Sequence, residues 1–375
     1  MGLMACLSRR TFLSAAAVPL GACGRRKAEG FPGYAFVANS EGRAVAVVDL
    51  GAFATVRHLR LDGNPAALLS HPSQPLVYAL APGLGAVYEI RADELTLGRQ
   101  AHCRGRVLQM AMTPAGDALW VLSAVSTDLL LIPTADLRPA ARITLPGVPS
   151  DFDLSPDGLT AVVSFGQSGQ VALVDLGARQ VAWVTAIHGA AGVVRYRGDG
   201  RLLLAGHLGE PRLSALDAAT GRLVVELPLA VEPENLCFKP DGGEMFITGP
   251  GMDAVVTVRP YQTEVASTTL AGHAPGPMAI SSSPDYLFVT NPKSGGVTVI
   301  DIATQRVVAV VSVGNWPCAV VITPDNRYAL VLNRGSGDIA VIRIASLTGR
   351  RRRFAPLFTM TPVGSGPVSA VVRAV

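Results

Sequence analysis

The sequence predicts an all-β chain folded as a ring of about eight four-stranded units, and three observations predict it. Large apolar residues recur at a fixed interval of 42, turn-forming residues cut each interval into strand-length pieces, and each end of the array holds part of a unit that the other end lacks.

The interval comes first, because a 375-residue chain can be one repeat body rather than several domains. Steps of 42 from Val45 reach Val87, Leu129, Val171, Leu213, Val255, Val297 and Ile339, all aliphatic. Three residues further on, Val48, Ile90, Ile132, Val174, Leu216, Val258, Ile300 and Ile342 repeat the result. Upstream, Phe36, Tyr78, Trp120, Val162, Leu204, Phe246, Phe288 and Leu330 are all large and apolar. A period of about 40 to 45 built from short β segments is that of β-propeller blades, not of a helical solenoid.

The turns come next. Pro156-Asp157-Gly158 and Pro240-Asp241-Gly242 recur in the same place within their units, with Pro324-Asp325-Asn326 and Gly198-Asp199-Gly200 as variants. Proline presets φ for the first turn position, aspartate caps the turn, and glycine accepts positive φ. In the last full unit the turns leave strands over 316–323, 328–333 and 339–344. These strands are almost continuously apolar, as expected where neighbouring blades cover both faces. Composition agrees, with 49% apolar residues, 39 Gly, 27 Pro and only 16% charged residues.

The ends give the count. Inner strands are expected to start near Asn64, Arg106, Pro149, Ala191, Pro233, Pro277 and Pro317, one fewer than the eight marks on the ruler. The first unit, 34–61, therefore lacks its inner strand, and the tail 366–375 is an inner strand without followers. Pairing the two closes the ring and removes the edges that a linear array would expose. Eight blades are expected, and seven with one displaced unit is the alternative.

Ahead of the array, Ser8-Arg9-Arg10-Thr11-Phe12-Leu13 resembles a twin-arginine export signal, and Leu20-Gly21-Ala22-Cys23 resembles a lipobox. The apolar run from Phe12 to Leu20 is too short to span a bilayer, which takes about 20 residues. The resemblance implies a signal peptide over 1–22, lipidation of Cys23, a tether over 23–33 and one propeller domain over 34–375. It implies an exported, membrane-anchored lipoprotein that faces the periplasm or the cell surface, with the lipid anchor as its contact with the membrane. The formal charge of +4 falls to +2 without Arg9 and Arg10, and no basic stripe runs through the repeats, which argues against nucleic acid as a partner. The basic run at Arg350 to Arg353 reads as a solvated loop.

The units themselves resemble the YVTN family of bacterial and archaeal β-propeller repeats. The eponymous motif stands at Phe288-Val289-Thr290-Asn291, with relatives at Phe36-Val37-Ala38-Asn39 and Leu330-Val331-Leu332-Asn333. Ser294-Gly295-Gly296-Val297-Thr298-Val299-Ile300-Asp301 matches the pattern that follows it. Blades two and three depart most, with Tyr88-Glu89-Ile90-Arg91 and with Pro133 where the pattern has Asp. The resemblance is specific for fold and weak for function, since members include surface, periplasmic and oxidoreductase-associated proteins.

Candidate ligand residues are sought at the channel mouth formed by inter-blade linkers and second-to-third strand loops. Four of the six histidines are expected there: His102, His188 and His273 between blades, and His207 in a second-to-third strand loop. His188 and His207 are expected to be neighbours, with Glu210 and Glu234 on the same face. Inner strands supply Asp151, Asp153, Arg195, Arg197, Glu232, Glu234 and Asn235; among them Asp151, Glu234 and Asn235 resemble in type the set with which lactonase-like propellers hold a divalent ion. No cofactor is predicted, and a divalent metal is left open. Cys103, Cys237 and Cys318 fall on non-adjacent blades, so no disulfide is expected. The chain has no Cys-x-x-Cys-His for covalent haem, no nucleotide fingerprint and no Ser-His-Asp grouping. The sequence thus predicts a monomeric binding or scaffolding module for an envelope protein, a glycan or a small ligand, rather than an enzyme. A propeller enzyme or redox-associated protein, either lactonase-like or related to quinoprotein and haem d1 systems, is the competing reading.

Overall fold

The computed structural model describes residues 30–347 and 355–374. Arg9, Arg10, Cys23 and the basic run at 350–353 lie outside the described residues. Within them the chain forms eight four-stranded antiparallel sheets arranged as the blades of one propeller. Among the described residues helix is confined to three short 3-10 turns at Pro82–Leu84, Gly166–Ser168 and Ile344–Ser346. Eight sheets, not seven, settle the count.

Seven blades run outward in chain order, with innermost strands at Ala67–Ser70, Val107–Met112, Asp151–Leu154, Ala190–Tyr196, Asn235–Phe238, Met278–Ile280 and Pro317–Ile322 for blades 2 to 8. Blade 1 is composite. Its outer three strands are Gly33–Asn39, Ala44–Asp49 and Ala54–Arg60, and its innermost strand is the C-terminal Pro367–Ala374. The tail is antiparallel to the first strand, with Tyr34 opposite Arg373 and Phe36 opposite Val371. The two incomplete ends thus complete each other, as the sequence predicts.

Burial follows position within the blade. Second and third strands are covered on both faces, and Ala118–Ser123 is buried along its whole length. Outermost strands have one neighbour fewer and alternate, as Gln180–Ala186 does between exposed and half-buried positions. Eight apolar clusters result, one in each seam between consecutive blades. Phe36, Val45 and Val47 of blade 1, for example, pack on Val77, Ala79 and Tyr88 of blade 2. Each large side chain removed from water in this way contributes about 1.5–3 kcal/mol, so stability is spread evenly round the ring.

The turns carry the repeat as faithfully as the core does. The aspartate that ends the third strand caps the next turn: Asp217 accepts from the Thr220 amide at 2.8 Å, and Asp301 accepts from the Thr304 amide at 2.8 Å. Reversal then runs through a left-handed residue at Phe53, Leu95, Leu137, Arg179, Gly221, Thr263 and Gln305, again 42 apart. Of these only Gly221 is free of the Cβ penalty for positive φ.

Candidate ligand site at the channel mouth

Because strands alternate in direction, second-to-third turns and inter-blade linkers share one end of the ring. At that end a cavity of about 310 Å³ opens between blades 4, 5 and 6. Its position follows from two irregularities. The innermost strands of blades 5 and 6 make the sparsest contact of any neighbouring pair round the ring. Blade 5 also breaks register between Ala191 and Val194, so that Gly192 and Val193 bulge into the cavity wall. Bulges of this kind re-aim side chains and recur beside functional sites.

Four charged residues line the cavity: Asp151, Arg195, Glu232 and Glu234. Asp151 is committed to structure. Its Oδ2 accepts from the Val194 amide at 2.9 Å and from Arg195 Nη1 at 2.6 Å. Two residues along, Asp153 Oδ2 accepts from the Tyr196 amide at 2.9 Å. Blade 4 thus uses two carboxylates to satisfy amides on the inner edge of blade 5, a row that would otherwise depend on water. Burial pushes the Asp153 carboxyl up, against the pull of the Tyr196 amide. Glu232 and Glu234 are different: among the described residues neither side chain has a hydrogen-bond or ion-pair partner. Asn235 opens the innermost strand of blade 6 opposite Thr248 and does not line the cavity. The three residues expected to act as a set are therefore divided, with Asp151 neutralised by Arg195, Glu234 free and Asn235 outside.

The histidines separate in the same way. His207 is not in a loop; it lies within the second strand of blade 5, Leu202–Leu208, and is only 1% exposed. The 42-residue ruler explains why. Stepping back from Asn333 passes Asn291, Gly249, His207, Phe165, Ser123 and Ala81 to Asn39, so His207 occupies the slot that holds the last residue of the second strand in blades 7, 8 and 1. The hydrogen bonds correspond. Asn291 Nδ2 donates to Thr298 Oγ1 at 2.9 Å, seven residues on, and His207 Nε2 lies 2.8 Å from Ser214 Oγ, also seven residues on. A serine hydroxyl against an imidazole is the geometry of an activated nucleophile, but Ser214 is fully buried and His207 Nδ1 is sealed without a well-formed partner. The pair holds the strand end, at the margin of the cavity that His207 helps to line.

Burial lowers the affinity of His207 for a proton, while the nearby backbone of His188 acts in the opposite direction. The sign follows. Above the ordinary value of 6.5 the ring is neutral in both folded and unfolded chains and this site adds no pH dependence; below it the unfolded chain takes up the proton first and stability falls. Replacing His207 with Asn is expected to leave stability within about 1 kcal/mol of the parent at pH 7.5, and to remove part of the loss on acidification to pH 5. Replacing it with Ala leaves the Ser214 hydroxyl only its 3.4 Å bond to Glu226 Oε1 and is expected to cost about 1–3 kcal/mol. Urea unfolding at the two pH values checks both.

His188 and His273 are exposed, and each faces a carboxylate. His188 Nδ1 lies 3.1 Å from Glu226 Oε1, and His273 Nδ1 lies 3.1 Å from Asp253 Oδ2. The His188 ring draws the Glu226 carboxyl below the usual carboxylate range. As expected, His188 and His207 come to one neighbourhood, bridged through Glu226 and Ser214, with Arg212 pairing both Glu210 and Glu226. His102 ends the outermost strand of blade 2 opposite Ala86, apart from that group. Among the described residues no three His, Cys, Asp or Glu side chains converge to hold a metal ion. Cys103, Cys237 and Cys318 are free thiols, and burial pushes the first two up to about 11 and about 12.

No protein-family model matches the sequence, and no curated protein matches it. Solved structures do. Hydrazine synthase from Kuenenia stuttgartiensis aligns with a TM-score of 0.60 and 21% identity, over 77% of this chain and 98% of that one. Dihydro-heme d1 dehydrogenase NirN in complex with DHE aligns with a TM-score of 0.73 and 15% identity, over 91% of this chain and 75% of that one. At these identities the likeness is one of fold: the chain is an eight-bladed β-propeller.

Proposed function

We propose that the protein is an exported, lipid-anchored binding module of the YVTN type, and that the cavity between blades 4, 5 and 6 takes a positively charged group of a small ligand or of an envelope partner. The observation that carries the proposal is the lining. Asp151 and Arg195 cancel each other, which leaves Glu232 and Glu234 as two carboxylates without partners beside a half-enclosed space of about 310 Å³. Low-dielectric walls of one sign concentrate the opposite charge. Glu232 and Glu234 give the site its attraction, and the Gly192–Val193 bulge gives it depth.

Calorimetric titration of the purified protein with spermidine, arginine and choline at low salt tests the reading. At least one is expected to bind saturably, more weakly as salt shortens the screening length to about 8 Å at 0.15 M, and at least tenfold more weakly in the Glu232→Gln, Glu234→Gln double variant. Absence of binding by all three, or an unchanged affinity in the double variant, removes the proposal.

A second reading, a tetrapyrrole-linked redox protein, is favoured by the likeness to NirN, whose structure holds DHE. It is also favoured by exposed His188, whose Nδ1 faces Glu226 as ring nitrogens of metal-binding histidines commonly face a carboxylate. The absorption spectrum of protein isolated from its native envelope separates the two readings. A stoichiometric visible chromophore that is lost on His188→Ala supports the second, and a featureless spectrum supports the first.

A further inference from the structure

Half a ring away from that cavity, at the seam where the chain closes, lies a second and larger one of about 670 Å³. Four loops build it: the linker from blade 7 to blade 8, the second-to-third turn of blade 8, the linker from blade 8 back to blade 1, and the second-to-third turn of blade 1. No functional residue identified from the sequence falls within it.

Its chemistry is specific. Trp316 is 56% exposed and held at φ 56°, a left-handed conformation that a bulky residue adopts only where its surroundings impose it. The surroundings do so here. The Trp316 carbonyl accepts from the Arg334 amide at 3.0 Å, the Asn315 carbonyl accepts from the Gly335 amide at 2.9 Å, and the Asn315 amide donates to Ser336 Oγ at 3.2 Å. The indole is therefore presented on a fixed backbone rather than on a loose loop. Facing the same space, Arg334 Nη2 lies 3.4 Å from Glu41 Oε1, and Ser365 Oγ donates to Glu41 Oε2 at 3.0 Å. Gly335, Gly337 and Gly364 leave the remaining wall as bare backbone.

We infer that this seam cavity is a saccharide site, binding a neutral oligosaccharide with Trp316 as the stacking platform. Three features select that class. Among the described residues the one cation and the one acid in the lining pair with each other, so their charges cancel and leave none with which to hold an ion. The flat exposed indole matches the apolar C–H face of a pyranose, and aromatic faces of this kind anchor ligands. The Arg334–Glu41 pair and Ser365 supply a fork of donors, a fork of acceptors and a hydroxyl at the rim, which is the equipment for neighbouring ring hydroxyls. The volume lies within the range of about 300 to 1,000 Å³ typical of ligand pockets and exceeds a single sugar ring.

Tryptophan fluorescence provides the test, because Trp120 is buried and Trp183 half-buried, leaving Trp316 as the tryptophan open to solvent. The full chain is titrated with maltotriose, cellotriose and tri-N-acetylchitotriose, with calorimetry in parallel. At least one is expected to give a saturable emission change in the parent, with a calorimetric affinity that is lost in Trp316→Ala, kept in part in Trp316→Phe, and weakened at least tenfold in Glu41→Gln, Arg334→Met. A thermal midpoint for Trp316→Ala equal to the parent's shows that the loss is not unfolding. Saturable binding that survives Trp316→Ala, or no binding of any of the three sugars by the parent, overturns the inference. Glu232→Gln, Glu234→Gln leaves the sugar response unchanged if the two cavities are independent, so this site and the one between blades 4 and 6 stand or fall separately.

Discussion

Truncation of the chain after Ser365 is expected to abolish cooperative folding at room temperature. The lost segment carries the innermost strand of blade 1, whose register runs through seven residue pairs from Gly33–Ala374 to Asn39–Pro367. Backbone hydrogen bonds of this kind contribute about 0.5–1.5 kcal/mol each, so the pairing alone approaches the roughly 5–15 kcal/mol that holds a whole domain together. Truncation also uncovers the Gly33–Asn39 strand, which is buried at six of its seven positions, and breaks the seams on both sides of blade 1. Circular dichroism in urea checks the outcome, and a synthetic peptide of residues 364–375 is expected to restore the transition in trans. A truncated chain that unfolds at the parent's midpoint would show that the ring does not depend on its closing strand.

That closure was legible in the sequence because it is arithmetic: eight marks for one strand, seven for another, and a leftover segment at each end. The channel-mouth side chains were harder to read. His207 looked like a loop residue because histidine is polar and the chain turns just beyond it. Carrying the same ruler to Asn39, Asn291 and Asn333 would have placed it at the end of a strand, in a buried capping role. His71 is a parallel case, occupying the turn-capping slot of Thr113, Ser155 and Thr323 and accepting from the Ser73 and Gln74 amides. Repeat proteins let a position be compared with its counterparts in the same chain, and a polar residue then carries functional weight only where it exceeds what its slot demands. Asp151 was hard to read for a different reason. Its partners, Val194 and Arg195, belong to the next blade, and a two-residue bulge brings them into reach. No periodic pattern announces a bulge. Glu232, Glu234 and Trp316 pass the same comparison, because nothing in their surroundings uses their polar or aromatic groups.

The comparison also isolates the residue with the largest expected effect within a blade. Glu89 lies in the third strand of blade 2 at a slot that holds Val47, Leu131, Leu173, Ala215, Val299 and Val341 elsewhere, with Thr257 as the other polar occupant. Its side chain is 4% exposed, and Arg99 of the adjoining outermost strand grips both its oxygens, with Nε donating to Oε1 at 3.0 Å and Nη2 donating to Oε2. The same guanidinium reaches across the seam to the Thr134 carbonyl at 2.9 Å and the Ala135 carbonyl at 2.6 Å, tying blade 2 to blade 3. The pair raises the affinity of Arg99 for its proton, chiefly through the bond to Glu89. Burying a carboxylate is tolerable only while that fork is in place. Arg99→Ala leaves the charge buried with only the residue-99 amide, at 3.4 Å, as its partner and is expected to cost about 3–5 kcal/mol, far more than removal of an exposed pair such as Arg259 and Glu264, at about 0–1 kcal/mol. The apolar double variant Glu89→Val, Arg99→Val gives the two positions the apolar chemistry that blade 5 has at Ala215 and Val225 and is expected to unfold near the parent's midpoint, because a buried ion pair is seldom more stabilising than a well-packed apolar pair. Urea midpoints at pH 7 for the parent, Arg99→Ala and the double variant decide it. If Arg99→Ala cost less than about 1 kcal/mol, water would be reaching Glu89, and the seam between blades 2 and 3 would not be held by this pair.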